Sequence, residues 1–248
     1  MDLGLKGRAY LVTGGTGGLG RATAAALVAD GAQVVVSSRT PERVQAAEQE
    51  LGDGAVGVVA DNADPATPTR LVEAARERFG RIDGLLVSVG GPPPGTVMSS
   101  SDETWRAAFE SVFLGAVRLA RTVVPELPEG GAIVFVLSSS VKTPIDNLAI
   151  SNGLRPGLAM VAKTLAQEVA PSGVRVLGLL PGRIATDRAV QLAQANPEVA
   201  ARLDAQIPLG RLGTPEEFGR VAAFLLSPAA SYLTGSVIAV DGGSIPAL

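Results

Sequence analysis

The residues best suited to chemistry form one run, Thr13-Gly14-Gly15-Thr16-Gly17-Gly18-Leu19-Gly20. An apolar stretch, Arg8–Thr13, precedes it and an amphipathic one, Gly18–Asp30, follows. Glycines at such a junction let the backbone turn sharply and approach a diphosphate. The helix start behind them supplies free N–H groups and a partial positive charge. A tight structural turn would use the same glycines, so the strand before and the helix after carry the reading. A second candidate closes the next apolar run, Val36-Ser37-Ser38-Arg39. A carboxylate there would bond a ribose 2′-hydroxyl, whereas Arg accommodates a 2′-phosphate. No carboxylate is present, and Arg39 offers a charged planar fork. Ser38 and Arg39 therefore predict NADP(H) in preference to NAD(H). The competing account of Arg39 is a solvated surface charge.

What the chain lacks narrows the chemistry further. It has no Cys and no His, which removes thiolate nucleophiles, Cys/His zinc sites and imidazole bases. Its net charge of -3 gives no basic footprint for nucleic acid. Hydrophobic residues at 46% against 18% charged point to a globular chain rather than a disordered one. Apolar runs such as Ala55–Ala60 are strand-length, far short of the ~20 residues of a membrane span. The first strand begins almost at once, which leaves no room for a signal peptide, and the expectation is a cytoplasmic protein with no membrane partner.

These residues must be held by regular elements, and the pattern supplies them. Candidate strands are Arg8–Thr13, Gln33–Ser38, Ala55–Asp61, Gly84–Ser88, Ala132–Ser138, Arg175–Leu180 and Ser236–Val240. Most are apolar on both faces, as in a parallel sheet covered on both sides. Amphipathic stretches lie between them, near Gly18–Asp30, Pro41–Leu51, Pro65–Phe79, Asp102–Pro125, Ile150–Ala170 and Pro215–Leu226. Pro41 and Pro215 each follow a Thr, the pattern of an N-cap and a first helical residue. The alternation predicts an α/β fold: one doubly wound, Rossmann-type parallel sheet of about seven strands, spanning 1–248 as a single domain. The segment Pro181–Thr214 interrupts the rhythm and is expected to form a partly helical flap over a substrate pocket.

At this point the chain resembles the short-chain dehydrogenase/reductase family along its whole length. The family's TGxxxGxG loop is met by Thr13, Gly14, Gly18 and Gly20, with Thr16 and Leu19 between. Asp61, followed by Asn62, stands at the end of the third strand, where the family places an Asp near the adenine. Pro181-Gly182, with Ile184 and Thr186 beyond, resembles its segment beside the nicotinamide. Tyr232-Leu233-Thr234-Gly235 and Val240-Asp241-Gly242-Gly243 resemble its C-terminal signature. The branch it resembles is that of the 3-oxoacyl-[acyl-carrier-protein] reductases. The resemblance implies a homo-oligomer, dimer or tetramer, joined through the helices at about 102–125 and 150–170 and the last strand.

The departures bear on catalysis. The family's catalytic group is Asn, Ser, Tyr and Lys. Anchored on Lys163 to Pro171 and on Pro181-Gly182, the Tyr-x-x-x-Lys motif falls on Ser151-Asn152-Gly153-Leu154-Arg155. The family's Ser falls on Ser138 and is kept, its helical Asn falls on Val112, and its NNAG segment reads Val87-Ser88-Val89-Gly90. A Tyr near pKa ~10 can be tuned into range by a nearby cation, whereas a serine hydroxyl is a far weaker acid and Arg stays charged. Arg155 could still bond the ribose or stabilise a developing oxyanion. Positions i and i+4 share a helix face, so Ser151 and Arg155 should meet in one cleft. Pro156 predicts a kink or a helix start near Arg155–Gly157. Lys142 and Asp146 lie near enough in sequence to reach the pocket, or to sit in a surface loop.

The expected activity is an NADP(H)-dependent oxidoreductase on a carbonyl/alcohol pair, free or carrier-linked, with an atypical site of Ser138, Ser151 and Arg155. Alternatives are a catalytically silent dinucleotide-binding sensor or partner subunit, and non-redox lyase or isomerase chemistry on the same scaffold.

Overall fold

Tyr10, Val12 and Leu11 explain the layers: consecutive strand residues point to opposite faces, and here both faces are buried. In a computed structural model, which describes residues 2–195 and 197–247, β1 (Ala9–Thr13) is covered along its whole length. Met1, Asn196 and Leu248, which the domain and flap expectations include, lie outside the described residues. β2 (Gln33–Ser38), β3 (Ala55–Val59), β4 (Gly84–Val87), β5 (Ala132–Val136), β6 (Arg175–Pro181) and β7 (Val237–Val240) complete one sheet. Its order is β3-β2-β1-β4-β5-β6-β7, and every pairing is parallel. All strands therefore end on one edge, and the winding reverses between β1 and β4, where ligands of such sheets bind.

Tyr10 and Val12 pack toward α1 (Gly18–Ala29), α2 (Pro41–Leu51) and the last helix, while Leu11 joins the other core. That second core holds α3 (Thr67–Phe79), the run α4 (Asp102–Ala108) to α5 (Gly115–Val123), and α6 (Ala149–Val169). The stretch expected as one helix from Asp102 is interrupted by a π-helical segment, Phe109–Leu114. α6 differs from expectation as well: helical structure runs unbroken through Pro156, so no helix starts at Arg155–Gly157. Ser151 and Arg155 both lie before the proline, whose missing N–H leaves the Asn152 carbonyl without its helical partner while the helix continues.

Residues 181–214 contain α7 (Asp187–Ala195) and α8 (Pro197–Asp204), so the segment is partly helical. α9 (Pro215–Leu226) follows and packs along α1. Of the two expected Thr caps, Thr40 makes no side-chain bond, whereas Thr214 forms a full capping box with Glu217. Arg211 donates to both Glu217 oxygens, at 2.6 and 2.9 Å, and these bonds hold the carboxyl down to about 2.

Thr214→Ala is expected to remove about 1 kcal/mol and to lower the midpoint by about 2–4 °C in a calorimetric scan. A carboxyl held low stabilises the fold above the ordinary carboxylate value. Glu217's contribution should therefore be complete above pH 4.5 and fade as the pH falls toward 2.

Candidate cofactor and active site

The glycine loop leaves β1 at Thr13, whose side chain is fully buried. Its hydroxyl donates to Ser88 O at 3.0 Å and accepts from Ser88 N at 2.9 Å. Thr13 thus braces the glycine loop against the end of β4 with its side chain. Gly14 adopts φ +59°, and a Cβ there would stand 2.6 Å from Ser88 O. A Cβ on Gly20 would stand 2.3 Å from Gly14 O, so the helix can start this close to the loop only with glycine.

α1 opens with Gly17 at its N-cap, no side-chain capping bond and no acidic residue in its first turn. Its first amides, from Gly18, Leu19 and Gly20, carry the helix's positive end without a protein anion to meet them. A Cβ at Gly17 would meet nothing within 4 Å, so that side of the loop is open. Thr16 is half-buried beside it. These residues fit a diphosphate. Arg39 is exposed at the end of β2 and makes no ion pair among the described residues. Ser38 is half-buried next to it, with its Oγ 3.5 Å from Thr40 N.

The remaining expected cofactor positions line the same strand edge. Asp61 Oδ1 accepts from Ala63 N at 3.0 Å, which fixes its carboxylate, and the Asn62 carbonyl lies against Gly115. Gly90 is exposed, and a Cβ there would meet nothing within 4 Å. Gly182 N bonds Val240 O at 3.0 Å, and Ile184 is buried. Thr186 lies over the glycine loop, 3.3 Å from a Cβ placed on Gly18. The base of the 181–214 segment is closed by Ala185 N to Gly213 O at 2.9 Å and Gly213 N to Arg183 O at 3.1 Å. Between its helices and β6 lies a cleft of ≈ 820 Å³ with an apolar lining that includes Leu19, Val190, Leu203 and Leu212.

The catalytic candidates separate. Ser151 and Arg155 are both buried on one face of α6, at 6% and 4% exposure. Ser151 Oγ lies 3.3 Å from Ser140 Oγ, and Ser140 also reaches Ser151 O at 3.4 Å. Ser138 does not join them. Its Oγ accepts from Ser140 N at 3.1 Å and caps the turn Ser139–Val141. The hydroxyl that meets Ser151 is therefore Ser140, which the 3-10 turn Ser139–Val141 buries.

Arg155 spans the strand ends. Nη1 donates to Val136 O at 2.7 Å and Nη2 to Val89 O at 3.2 Å. No carboxylate pairs with it among the described residues, and burial alone pulls its pKa down to about 10. Val112, at the family's Asn position, is buried in the π-helical segment. Lys142 and Asp146 are both exposed. Tyr232 is fully exposed, and Tyr10 lies buried on β1 with its acidity suppressed by that burial, so neither stands in for a proton donor at Ser151.

Asn152 ties the start of α6 to the loop before it. Its Nδ2 donates to Ile145 O at 2.9 Å and its Oδ1 accepts from Ile145 N at 3.0 Å. Gly95 N to Asn147 O at 2.8 Å and Ala149 N to Gly95 O at 3.0 Å bind that loop to the Gly91–Gly95 loop. Neither Ser140 nor Asn152 stood out from the sequence. A run of three serines gives no sign of which one turns inward. An Asn in a first helical turn is at least a residue type that competes for backbone groups.

Residues 14–244 match the family described as enoyl-(acyl carrier protein) reductase. The chain belongs to the short-chain dehydrogenase/reductase family of oxidoreductases. It is 32% identical over 243 residues to a 3-oxoacyl-[acyl-carrier-protein] reductase of Escherichia coli strain K12, covering 97% of this chain and 98% of that protein. An uncharacterized oxidoreductase of Methylorubrum extorquens is 35% identical over 243 residues, covering 96% and 98%. Among solved structures, L-sorbose reductase from Gluconobacter frateurii, complexed with NADPH and L-sorbose, superposes with a TM-score of 0.92 at 33% identity, each chain covered in full. No helix among the described residues of this short-chain dehydrogenase/reductase is long and apolar enough to cross a membrane.

Thr13→Val keeps the shape but removes both bonds to Ser88. It is expected to cost about 1–3 kcal/mol, read as a lower midpoint in a denaturant titration with an unchanged slope.

Proposed function

We propose that this short-chain dehydrogenase/reductase is an NADP(H)-dependent oxidoreductase acting on a carbonyl/alcohol pair through an atypical site. One observation carries the reading: the first turn of α1 presents uncapped amides, and Arg39, free of any ion pair among the described residues, stands at the neighbouring strand end. The amides would hold the diphosphate, and Arg39 with Ser38 would hold a 2′-phosphate. Asp61 and Asn62 would border the adenosine half, and Gly90, Pro181, Gly182, Ile184 and Thr186 the nicotinamide half. The NADPH held by the Gluconobacter sorbose reductase supports the same choice.

When bound, the dinucleotide supplies the hydride. The chain's own residues orient and polarise. Arg155, fixed by Val136 O and Val89 O, retains N–H groups for a ribose hydroxyl or for the negative charge that develops on a carbonyl oxygen. Ser151 offers an O–H on the same helix face, oriented by Ser140. Ser138 accepts one bond from the turn and keeps its O–H to donate. Without a Tyr, the proton comes from Ser151 or from water. Loss of a positioned general acid lowers rates by roughly 10²–10⁴, while orientation of the two reactants still supplies ~7–11 kcal/mol. A slow reductase results. Residues 181–214 serve as the substrate flap, and their apolar cleft suits a small carbonyl compound with a hydrocarbon portion, free or carrier-linked. The chain acts as one domain and as a homo-oligomer; the exposed Phe109 and Met160, on the helices of the expected interface, support the latter.

NADPH oxidation is expected with a panel of carbonyl compounds that includes acyl thioesters. Tight binding without turnover across the panel would identify a silent binder instead. The double substitution Ser151→Tyr, Arg155→Lys is expected to raise the rate. Arg39→Ala should weaken NADPH by about tenfold or more, the value of one charge-assisted contact, and leave NADH nearly unchanged. Equal affinities of the unaltered protein for the two nucleotides would remove the assignment of Arg39.

A further inference from the structure

Among the described residues, Arg155 is a buried cation held by dipoles alone. Its partners are two main-chain carbonyls, at 2.7 and 3.2 Å, and no acidic side chain there forms an ion pair with it. Buried charges are ordinarily paired. The neighbouring hydroxyls do not supply the missing charge. Ser151 on its own helix face and the Ser140 bonded to it are neutral, and the chain has neither His nor Cys. Burial lowers the pKa of Arg155 to about 10, still far above neutral, so the guanidinium keeps its positive charge at pH 7.

Its place in the sheet decides what that charge acts on. A dinucleotide whose diphosphate lies on α1, after β1, extends its second half over the neighbouring strand ends across the switch point. Those are the ends of β4 and β5, and Val89 O and Val136 O, the two anchors of Arg155, lie there. The oxidised and reduced forms of a nicotinamide dinucleotide share every phosphate and both sugars. They differ by one positive charge, carried by the oxidised ring alone.

We infer that this site is selective for redox state: the uncompensated guanidinium of Arg155 repels the oxidised ring, and the protein holds NADPH in preference to NADP+. The inference rests on the dinucleotide reading above and adds to it a direction. At an effective dielectric near 20 and a separation of about 7 Å, one like-charge contact is worth a preference on the order of ten- to a hundredfold. Each tenfold raises the potential of the bound couple by about 30 mV. Phosphate contacts cancel in the ratio of the two affinities, so the preference reports the ring environment only. A reductase built this way loads its donor and releases its oxidised product. A protein that turned over no substrate would still read the reduced fraction of the pool.

The test is calorimetric titration of the full chain with NADPH and with NADP+ separately, which needs no turnover. The unaltered protein is expected to bind NADPH at least tenfold more tightly. Arg155→Lys keeps the charge and should keep the preference. Arg155→Met and Arg155→Gln remove it and should bring the ratio to within about twofold of unity; the Gln variant retains a donor for Val136 O should the Met variant fold poorly. A ratio near one in the unaltered protein overturns the inference, as does a ratio that survives both neutral substitutions. Binding of neither nucleotide is a different result, because it removes the dinucleotide reading itself.

Discussion

The hydroxyl of Thr13 both gives and takes a bond at Ser88, and so ties the end of β1 to the end of β4 where the sheet's winding reverses. A parallel sheet must part its loops at that point to make a crevice, and parting them exposes main-chain groups that need partners. One buried side chain answers both needs. It pins the start of the glycine loop on one side and the Val87-Ser88-Val89-Gly90 segment on the other. The amides of α1 and the carbonyl of Val89 hold their places because the two strand ends cannot drift apart.

Arg155 extends that logic to β5. Lys ends in a compact point charge, whereas Arg presents a wide fork that can reach two acceptors at once. Here the fork bridges Val89 O and Val136 O, so α6 is fastened to two strand ends by one residue. Helix α6 continues through Pro156 beyond this fastening. The same residue is thus structural anchor and electrostatic source. Such an arrangement is tolerable because carbonyl dipoles soften the cost of burying the cation, but they do not neutralise it.

The fold was legible because its signals are local. Apolar runs of strand length, glycines at a strand–helix junction and a Thr-Pro helix start each mean the same thing in most settings, and the parallel sheet and glycine loop followed from them. Thr214 behaved as such a cap while Thr40 did not, since only Thr214 has a Glu three residues on to complete the box. The site was legible in position but not in pairing. Ser138 follows from the family resemblance, yet which serine turns toward Ser151 depends on a short turn whose shape no single residue announces. Phe109–Leu114 reads as ordinary helix because a π-helical segment keeps the amphipathic pattern while shifting its hydrogen bonds. Pro156 read as a break, although a proline one turn beyond the first leaves the helix's tertiary contacts intact and packing overrides propensity.

The staple formed by Ala185, Gly213 and Arg183 has a further meaning. Chain leaving β6 returns to nearly the same point before α9 begins, so everything between hangs from a closed neck. Lengthening or rewriting a segment held in this way costs little to the rest of the domain, because the loop-closure penalty grows only slowly with length. The neck thus lets the chain between β6 and α9 change in length and sequence with little strain on the strand edge beneath it.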